Sequence, residues 1–255
     1  MSGLPVTAQR AVVPAACFEL RGVQVHLGPA ARLQALTDVF LRIEEGERVA
    51  LVGANGSGKS TLLRTLHGLQ RPSAGELHTP AHQRVAMLFQ RPHMLRMSAR
   101  RNIQLGLWLQ GVPARQTRAL ALQALERVEM GALAERNARA LSGGQQQRLA
   151  LARAWALRPA VWLLDEPTAS LDPHAKREVE ALIAEFTAAG QPTGQPTTLV
   201  FSSHNLGQVK RLASRVVYLE KGRLLADLPV NDFFNHDLLR SLCPQAHLFV
   251  QGESL

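Results

Sequence analysis

Nine consecutive residues near the first quarter of the chain combine glycines, a lysine and hydroxyl side chains at a spacing that suits phosphate chemistry. They read Gly53-Ala54-Asn55-Gly56-Ser57-Gly58-Lys59-Ser60-Thr61, which fits the pattern G-x-x-x-x-G-K-S (Walker A). Glycines let backbone N–H groups turn around phosphate oxygens, and the following helix presents its N-terminus to the same anion. An apolar segment, Arg48–Val52, precedes the loop, and a helical pattern over Ser60–Leu66 follows it. We therefore expect Lys59 on the β- and γ-phosphates of a nucleotide and Ser60 on Mg²⁺.

Two acidic residues follow a second apolar segment. Val161–Leu164 leads directly into Asp165 and Glu166. The carboxyl end of a buried strand is the ligand side of an open α/β sheet, so we expect Asp165 to hold Mg²⁺ and Glu166 to act as general base on water. By itself such a strand end is more often only solvated, but the Walker A pattern upstream favours the functional interpretation.

A second small-residue loop, Leu141-Ser142-Gly143-Gly144-Gln145, precedes a helical pattern over Gln145–Ala156. It would offer backbone N–H groups, a hydroxyl and the positive end of a helix dipole to an anion. The plain alternative is a helix N-cap at Ser142 followed by flexible glycines, and both interpretations can hold together.

These motifs together resemble those of the ABC ATPases, whose signature motif the Leu141–Gln145 loop matches. The resemblance covers about residues 18–230. It implies a P-loop NTPase (RecA-like) α/β core with an antiparallel β subdomain and an inserted helical subdomain. It also implies a homodimer in which ATP lies between the Walker A loop of one subunit and the signature loop, Ser142, Gly143, Gly144 and Gln145, of the other.

The resemblance extends to isolated residues in the expected order along the chain. Gln90 resembles a sensor of Mg²⁺ and the γ-phosphate, Ser170–Asp172 resembles a loop that crosses to the partner subunit, and His204 resembles a switch histidine that helps to place water. The family has an aromatic residue near the end of the first strand, on which adenine stacks, and Leu27 takes that place here, beside His26. We therefore expect either weaker stacking on adenine or stacking supplied by His26.

Composition limits the class of protein. The chain has 255 residues and a formal net charge of +9, with 25 arginines and four lysines but no run of five basic residues. We favour charges spread over a solvated surface and expect no nucleic-acid partner. Cys17 and Cys243 fit a reducing compartment, and no apolar run approaches the roughly 20 residues of a membrane span. These features predict a cytoplasmic protein.

Patterning along the chain predicts its organisation. We expect a loose tail over residues 1–16, an ATPase domain over residues 17–230 with a helical subdomain at about 92–157, and a short C-terminal extension over residues 231–255. Phe18–Val25 is predicted as an edge strand, and Pro72–Gly75 as a turn. Further strands are predicted at Ala35–Ile43, Arg48–Val52, Val85–Phe89, Val161–Leu164, Thr198–Ser202 and Val216–Leu219.

The resemblance also implies partners. A separate motor subunit is typical of bacterial importers, so we expect transmembrane permease subunits, an indirect periplasmic binding protein and a place on the inner face of the membrane. Residues 91–97 would form either part of the permease groove, with exposed Met and Leu, or ordinary subdomain core. Residues 53–68, 93–110 and 202–208 look similar to tungstate-type oxyanion importers. Phosphate, molybdate and polar amino acids remain alternative cargoes, and a soluble non-transport ATPase is a further alternative.

Overall fold

The computed structural model of the protein describes residues 16–28, 32–79, 83–190, 194 and 196–252. All of the expected N-terminal tail except Ala16 lies outside this part. The described ranges contain nine strands and nine α-helices: β1 (Ala16–Leu27), β2 (Leu33–Glu44), β3 (Arg48–Val52), α1 (Lys59–His67), β4 (Ala74–His78), β5 (Val85–Leu88), α2 (Ala99–Leu109), α3 (Ala114–Arg127), α4 (Gly143–Ala156), β6 (Val161–Asp165), α5 (Pro173–Ala188), β7 (Thr198–Ser202), α6 (Leu206–Leu212), β8 (Arg215–Glu220), β9 (Arg223–Pro229), α7 (Val230–Phe233), α8 (His236–Leu242) and α9 (Pro244–Gln251).

The larger sheet has six strands in the order β5-β6-β7-β3-β8-β9, and all pairs are parallel except β8 with β9. Its central strands are buried on both faces. Val49 and Leu51 pack into one hydrophobic cluster, and Ala50 and Val52 pack into the other. Strands covered on both sides read as continuous apolar runs, which is why β3 and β7 have the bounds that the sequence predicts.

The smaller sheet is antiparallel, in the order β2-β1-β4. The prediction of β1 as an edge strand is wrong, because Leu20 pairs with Leu41 on one side and with Leu77 on the other. The partner strand β4 starts inside the predicted turn at Pro72–Gly75, and four of its five residues are exposed. With so little burial, β4 has no apolar alternation that a sequence pattern could detect.

The helical subdomain consists of α2, α3 and α4 with two short 3₁₀ turns, at Gly131–Leu133 and Ala138–Ala140. It begins with a non-helical segment, and its first helix starts only at Ala99. The Asn102 side chain, 1% exposed, organises that segment by donating to the carbonyl oxygens of Leu95, Met97 and Ser98. Met94 is buried in the hydrophobic cluster, so the core alternative holds for this residue and the expectation of an exposed methionine is wrong there.

The C-terminal extension packs onto the core. Phe233, Leu239 and Cys243 join the same hydrophobic cluster as the central strands, and the ring of Phe249 lies 5.5 Å from that of Tyr218. Cys17 and Cys243 are both buried free thiols. Among the described residues, no helix is long and apolar enough to cross a membrane.

Candidate nucleotide site

The Walker A loop joins the carboxyl end of β3 to the N-terminus of α1. Gly58, with φ of 108°, precedes the first residue of the helix, Lys59. The Lys59 ammonium donates to the carbonyl oxygens of Gly53 at 2.8 Å and Ala54 at 2.9 Å, and the residue is 5% exposed. Burial lowers the pKa of Lys59, and the carboxylates of Glu166 and Asp165 oppose that shift. The ammonium therefore lies across the loop, where an anion would compensate its desolvation.

Asp165 lies at the carboxyl end of β6 and is 3% exposed. Its Oδ1 accepts two hydrogen bonds, from Ser60 Oγ at 2.9 Å and from Ser202 Oγ at 2.8 Å. Mg²⁺ prefers oxygen ligands and is commonly held by one or two protein oxygens together with substrate phosphates. The hydroxyl of Ser60 and the carboxylate of Asp165 fit that donor set.

Glu166 has a left-handed backbone, with φ of 45°. For a residue other than glycine this conformation costs on the order of 1–3 kcal/mol, and such strain is concentrated at functional sites. Its N–H donates to Ser202 Oγ at 2.9 Å. Ser202, 0% exposed, thus holds the backbone of Glu166 and the carboxylate of Asp165 at the same time.

Gln90 and His204, which the sequence analysis identified, both contact the carboxylate of Glu166. Gln90 Nε2 donates to Glu166 Oε2 at 3.0 Å, and His204 Nε2 lies 2.6 Å from Glu166 Oε1. Gln90 follows β5 and His204 follows β7, whereas Glu166 follows β6. Because β5, β6 and β7 are parallel neighbours, their carboxyl ends deliver the three side chains to one edge of the sheet.

The signature loop lies apart from the Walker A loop in the same chain, and no hydrogen bond joins the two within the described residues. Ser142 caps α4, since its Oγ accepts from Gln145 N at 3.3 Å and Gln145 Oε1 accepts from Ser142 N at 3.0 Å. The N-cap interpretation is therefore correct. The loop lines a cavity together with Ser170, Leu171 and Asp172, the residues expected to cross to the partner subunit.

Leu27 ends β1 opposite Leu33 of β2 and is partly buried against the hydrophobic cluster shared by the two sheets. The same strand β2 supports the Walker A loop, because a Cβ at Gly58 would lie 2.8 Å from the carbonyl oxygen of Ala35. This places Leu27 on the strand next to the one that contacts the loop. Its role at the adenine stays a prediction.

Sequence reasoning missed the residues that support this site from beneath. Ser202 is one, and the buried side chains of Thr168, Ser203 and Gln208 are others. A pair of hydroxyl residues at the end of an apolar strand, directly before His204, is the signal that would have indicated them.

The segment that contains the Walker A loop, the signature loop and Asp165-Glu166 is similar to known proteins. Residues 36–169 match the protein family described as ABC transporter. The nickel import ATP-binding protein NikO of Rhodobacter capsulatus is 40% identical over 83% of this chain and 89% of that protein. The glutamine transport ATP-binding protein GlnQ of Escherichia coli K12 is 34% identical over 82% of this chain and 90% of that protein.

The fold is also similar to that of solved cassettes. The ATP-binding cassette MJ0796, in a dimeric post-hydrolysis state with ADP and Pi, superimposes with a TM-score of 0.74 at 28% identity, over 84% of this chain and 98% of that one. The α/β architecture agrees with that of the solved cassette. The chain therefore belongs to the ABC transporter family, and it is an ATP-binding subunit that hydrolyses ATP.

Proposed function

We propose that this chain is the motor subunit of a bacterial importer, and that two copies close over ATP. Each nucleotide would lie between the Walker A loop of one copy and the signature loop of the other. The observation that carries this proposal is at Gly143, which is exposed and where an added Cβ would meet no heavy atom within 4 Å. None of the described residues requires a glycine there, so the residue suits the close approach of a phosphate from another copy.

Within one site, the residues divide the work. Lys59 and the amides of residues 53–61 bind the phosphates, while Ser60, Asp165 and Gln90 hold Mg²⁺, which would neutralise charge on the β- and γ-oxygens. Glu166 takes the proton of the attacking water or orients that water. His204 and Gln90, both in contact with Glu166, set its orientation and meet the γ-phosphate.

The first test is the variant Lys59→Ala, which removes a buried positive charge from the phosphate site. Both nucleotide affinity, measured with a fluorescent ADP, and turnover should fall. Turnover equal to that of the parent would refute the assignment of the site.

A mixing experiment tests the shared site. Lys59→Ala disables the Walker A side, and Gly143→Glu places a carboxylate where the partner's phosphate would arrive, at a position where the added Cβ meets no heavy atom within 4 Å. Each variant alone should be inactive. A mixed dimer contains one site with neither change, so turnover should return on mixing. If cross-linking detects mixed dimers and turnover does not return, the two loops do not share one nucleotide.

The helical subdomain provides a surface for a membrane permease. Trp108 and Leu109, at the end of α2, are 60% and 69% exposed. Residues 91–158 contain twelve arginines and three glutamates, so the whole formal excess of positive charge lies in this part of the chain. The excess of positive charge is thus concentrated along this part of the sequence. We infer a permease segment that is apolar and acidic, and a peripheral place for this chain on the inner face of the membrane.

The proposed cargo is an oxyanion, and polar amino acids are the second candidate. The sequence segments favour tungstate or a related oxyanion, delivered by a periplasmic binding protein. The relatives reported above are named for nickel and glutamine, and another for glutamate and aspartate, which favours polar amino acids as the second candidate. Deletion of the gene should lower cellular tungsten at scarce supply while glutamine uptake stays normal. The opposite result would reject the oxyanion and support the amino-acid alternative.

A further inference from the structure

Two loops carry the residues assigned to hydrolysis, and a buried polar bridge joins these loops beneath the reactive side chains. Glu166 is in the loop after β6, and His204 is in the loop after β7. The bridge consists of Thr168, Ser203 and Gln208, which are 4%, 3% and 0% exposed. We propose that Gln208 is a positioning residue that fixes the separation of Glu166 and His204 and thereby the rate of hydrolysis. This inference rests on the roles proposed above for Glu166 and His204.

The nitrogen and the oxygen of the Gln208 amide each form a hydrogen bond with a different loop. Its Nε2 donates to Thr168 Oγ1 at 3.1 Å, two residues after Glu166, and its Oε1 accepts from Ser203 Oγ at 2.7 Å, directly before His204. Ser203 Oγ also accepts from Asn205 N at 3.0 Å. The bridge therefore ends on both chain neighbours of His204.

The bridge is buried, whereas the side chains that it supports are not. The His204 and Glu166 side chains keep 36% and 14% of their surface exposed. A buried donor or acceptor that loses its partner is costly, so the three bridge residues hold the backbone of both loops in one arrangement. The reactive side chains remain free to exchange partners when a nucleotide arrives.

A second contact fixes the same loops from another side. Ser202 bonds Asp165 Oδ1 and Glu166 N, while its neighbour Ser203 bonds Gln208. Ser202 is the last residue of β7 and Ser203 follows it directly, so the two serines tie the end of β7 to the metal-binding side and to the α6 side. Gln208 is the member of this arrangement that reaches both loops through one side chain.

A purely structural role for Gln208 makes a different prediction. Loss of packing would lower the melting temperature and nucleotide affinity together with turnover. A positioning role lowers kcat while the affinity for ADP and the KM for ATP are retained, because the bridge contacts neither the Walker A loop nor its residues by hydrogen bonds.

The experiment compares four single variants and the double variant Gln208→Leu/Thr168→Val with the parent chain. Gln208→Leu removes the amide, and Thr168→Val removes one end of the bridge. Gln208→Glu keeps the acceptor for the Ser203 hydroxyl, and its second oxygen replaces the Nε2 donor with an acceptor to which the Thr168 hydroxyl can donate. Thr187→Val is the matched control, because Thr187 is also buried but its hydroxyl bonds the Ile183 carbonyl inside α5. The measurements are kcat, KM, affinity for a fluorescent ADP and melting temperature.

We expect Gln208→Leu and Thr168→Val to lower kcat by about 10- to 100-fold, the range that small misplacement of catalytic groups produces. KM and ADP affinity should stay within about twofold of the parent values. The double variant should lose no more than either single one, since both break the same bridge. Gln208→Glu should retain most activity, and Thr187→Val should match the parent.

Several outcomes would overturn the inference. One is a normal kcat in Thr168→Val. This variant keeps the test decisive even if Gln208→Leu does not fold. Another is an equal loss of kcat and affinity. The variant Glu166→Gln is measured alongside. Rapid hydrolysis by that variant would overturn the proposed role of Glu166 and this inference with it, whereas slow hydrolysis beside a normal Gln208→Leu overturns this inference alone.

Discussion

The two glycine-rich loops of this chain differ in what their glycines contact. In the Walker A loop, Gly53 and Gly58 have φ of 143° and 108°, and a Cβ at Gly53 would lie 2.1 Å from the carbonyl oxygen of Leu219. In the signature loop, a Cβ at Gly144 would be in ordinary contact with Ala175, and one at Gly143 would lie in open space. The glycines of the first loop are required by their own chain, and Gly143 is not.

Polar groups show the same difference. Near the Walker A loop, the Lys59 ammonium donates to two loop carbonyl oxygens, and the Ser60 hydroxyl donates to Asp165, all inside the chain. The signature loop bonds the helix that it opens: Ser142 and Gln145 cap each other, the Leu141 carbonyl accepts from Gln146 Nε2, and the first regular helical hydrogen bond is from Gln146 N to Ser142 O. The first amides of a helix lack partners within the helix. The Walker A loop thus has its polar side chains paired inside the chain, whereas the first amides of α4 face a space that a phosphate could occupy, as the proposed contact with a second copy requires.

The largest expected effect concerns Glu166, on the Walker A side of the site. Glu166→Gln should lower turnover by about 10²- to 10⁴-fold, the range for loss of a general base, while ADP affinity is retained. Because ATP then persists, the variant should elute as a dimer in gel filtration with ATP. Turnover within a few-fold of the parent, or loss of ADP binding, would contradict the assignment.

The next prediction compares how alanine substitution in each of the two loops changes the free energy of unfolding. Gly58→Ala forces a residue with Cβ into a left-handed conformation against the Ala35 carbonyl, which should destabilise the fold by at least about 2 kcal/mol in urea unfolding. Gly143→Ala should change the free energy of unfolding by less than about 0.5 kcal/mol, because its Cβ meets nothing. Equal destabilisation by both would mean that the comparison of the loops is wrong.

A smaller effect is expected at His204. Its removal leaves Glu166 with the Gln90 contact alone, so His204→Ala should reduce kcat by about 10- to 100-fold. ADP affinity should change little, which titration with a fluorescent nucleotide would measure. If affinity and kcat fall together, the histidine has a structural role.

The smallest effect is expected at the adenine. Leu27→Tyr should tighten ATP binding by about 1 kcal/mol, since stacking of a base on an aromatic ring contributes roughly 1–3 kcal/mol. The measurement is the ratio of ATP to GTP affinity in parent and variant. An unchanged ratio would place the base elsewhere and would remove Leu27 from the site.

Local patterns were enough to predict much of this protein. Runs of apolar residues located β3 and β7 at their observed bounds, and the helical pattern over Ser60–Leu66 placed the end of α1 within one residue. The Walker A, Asp165-Glu166 and signature motifs identified the family, because their chemistry depends on residue types at short spacing. Such features survive in a sequence because a few consecutive residues specify them.

Contacts between distant residues decided the rest. β1 is central only because β4, some fifty residues later, pairs with it, and Met94 is buried only because the helices of the subdomain close over it. Gln208 reaches Thr168 across 40 positions of the chain because parallel packing of β6 and β7 brings their following loops together. The sequence alone therefore determined the family and the residues that are proposed to carry the chemistry. Tertiary structure decided which buried groups hold those residues at their observed distances, since a hydrogen bond between loops depends on how the strands are ordered in space.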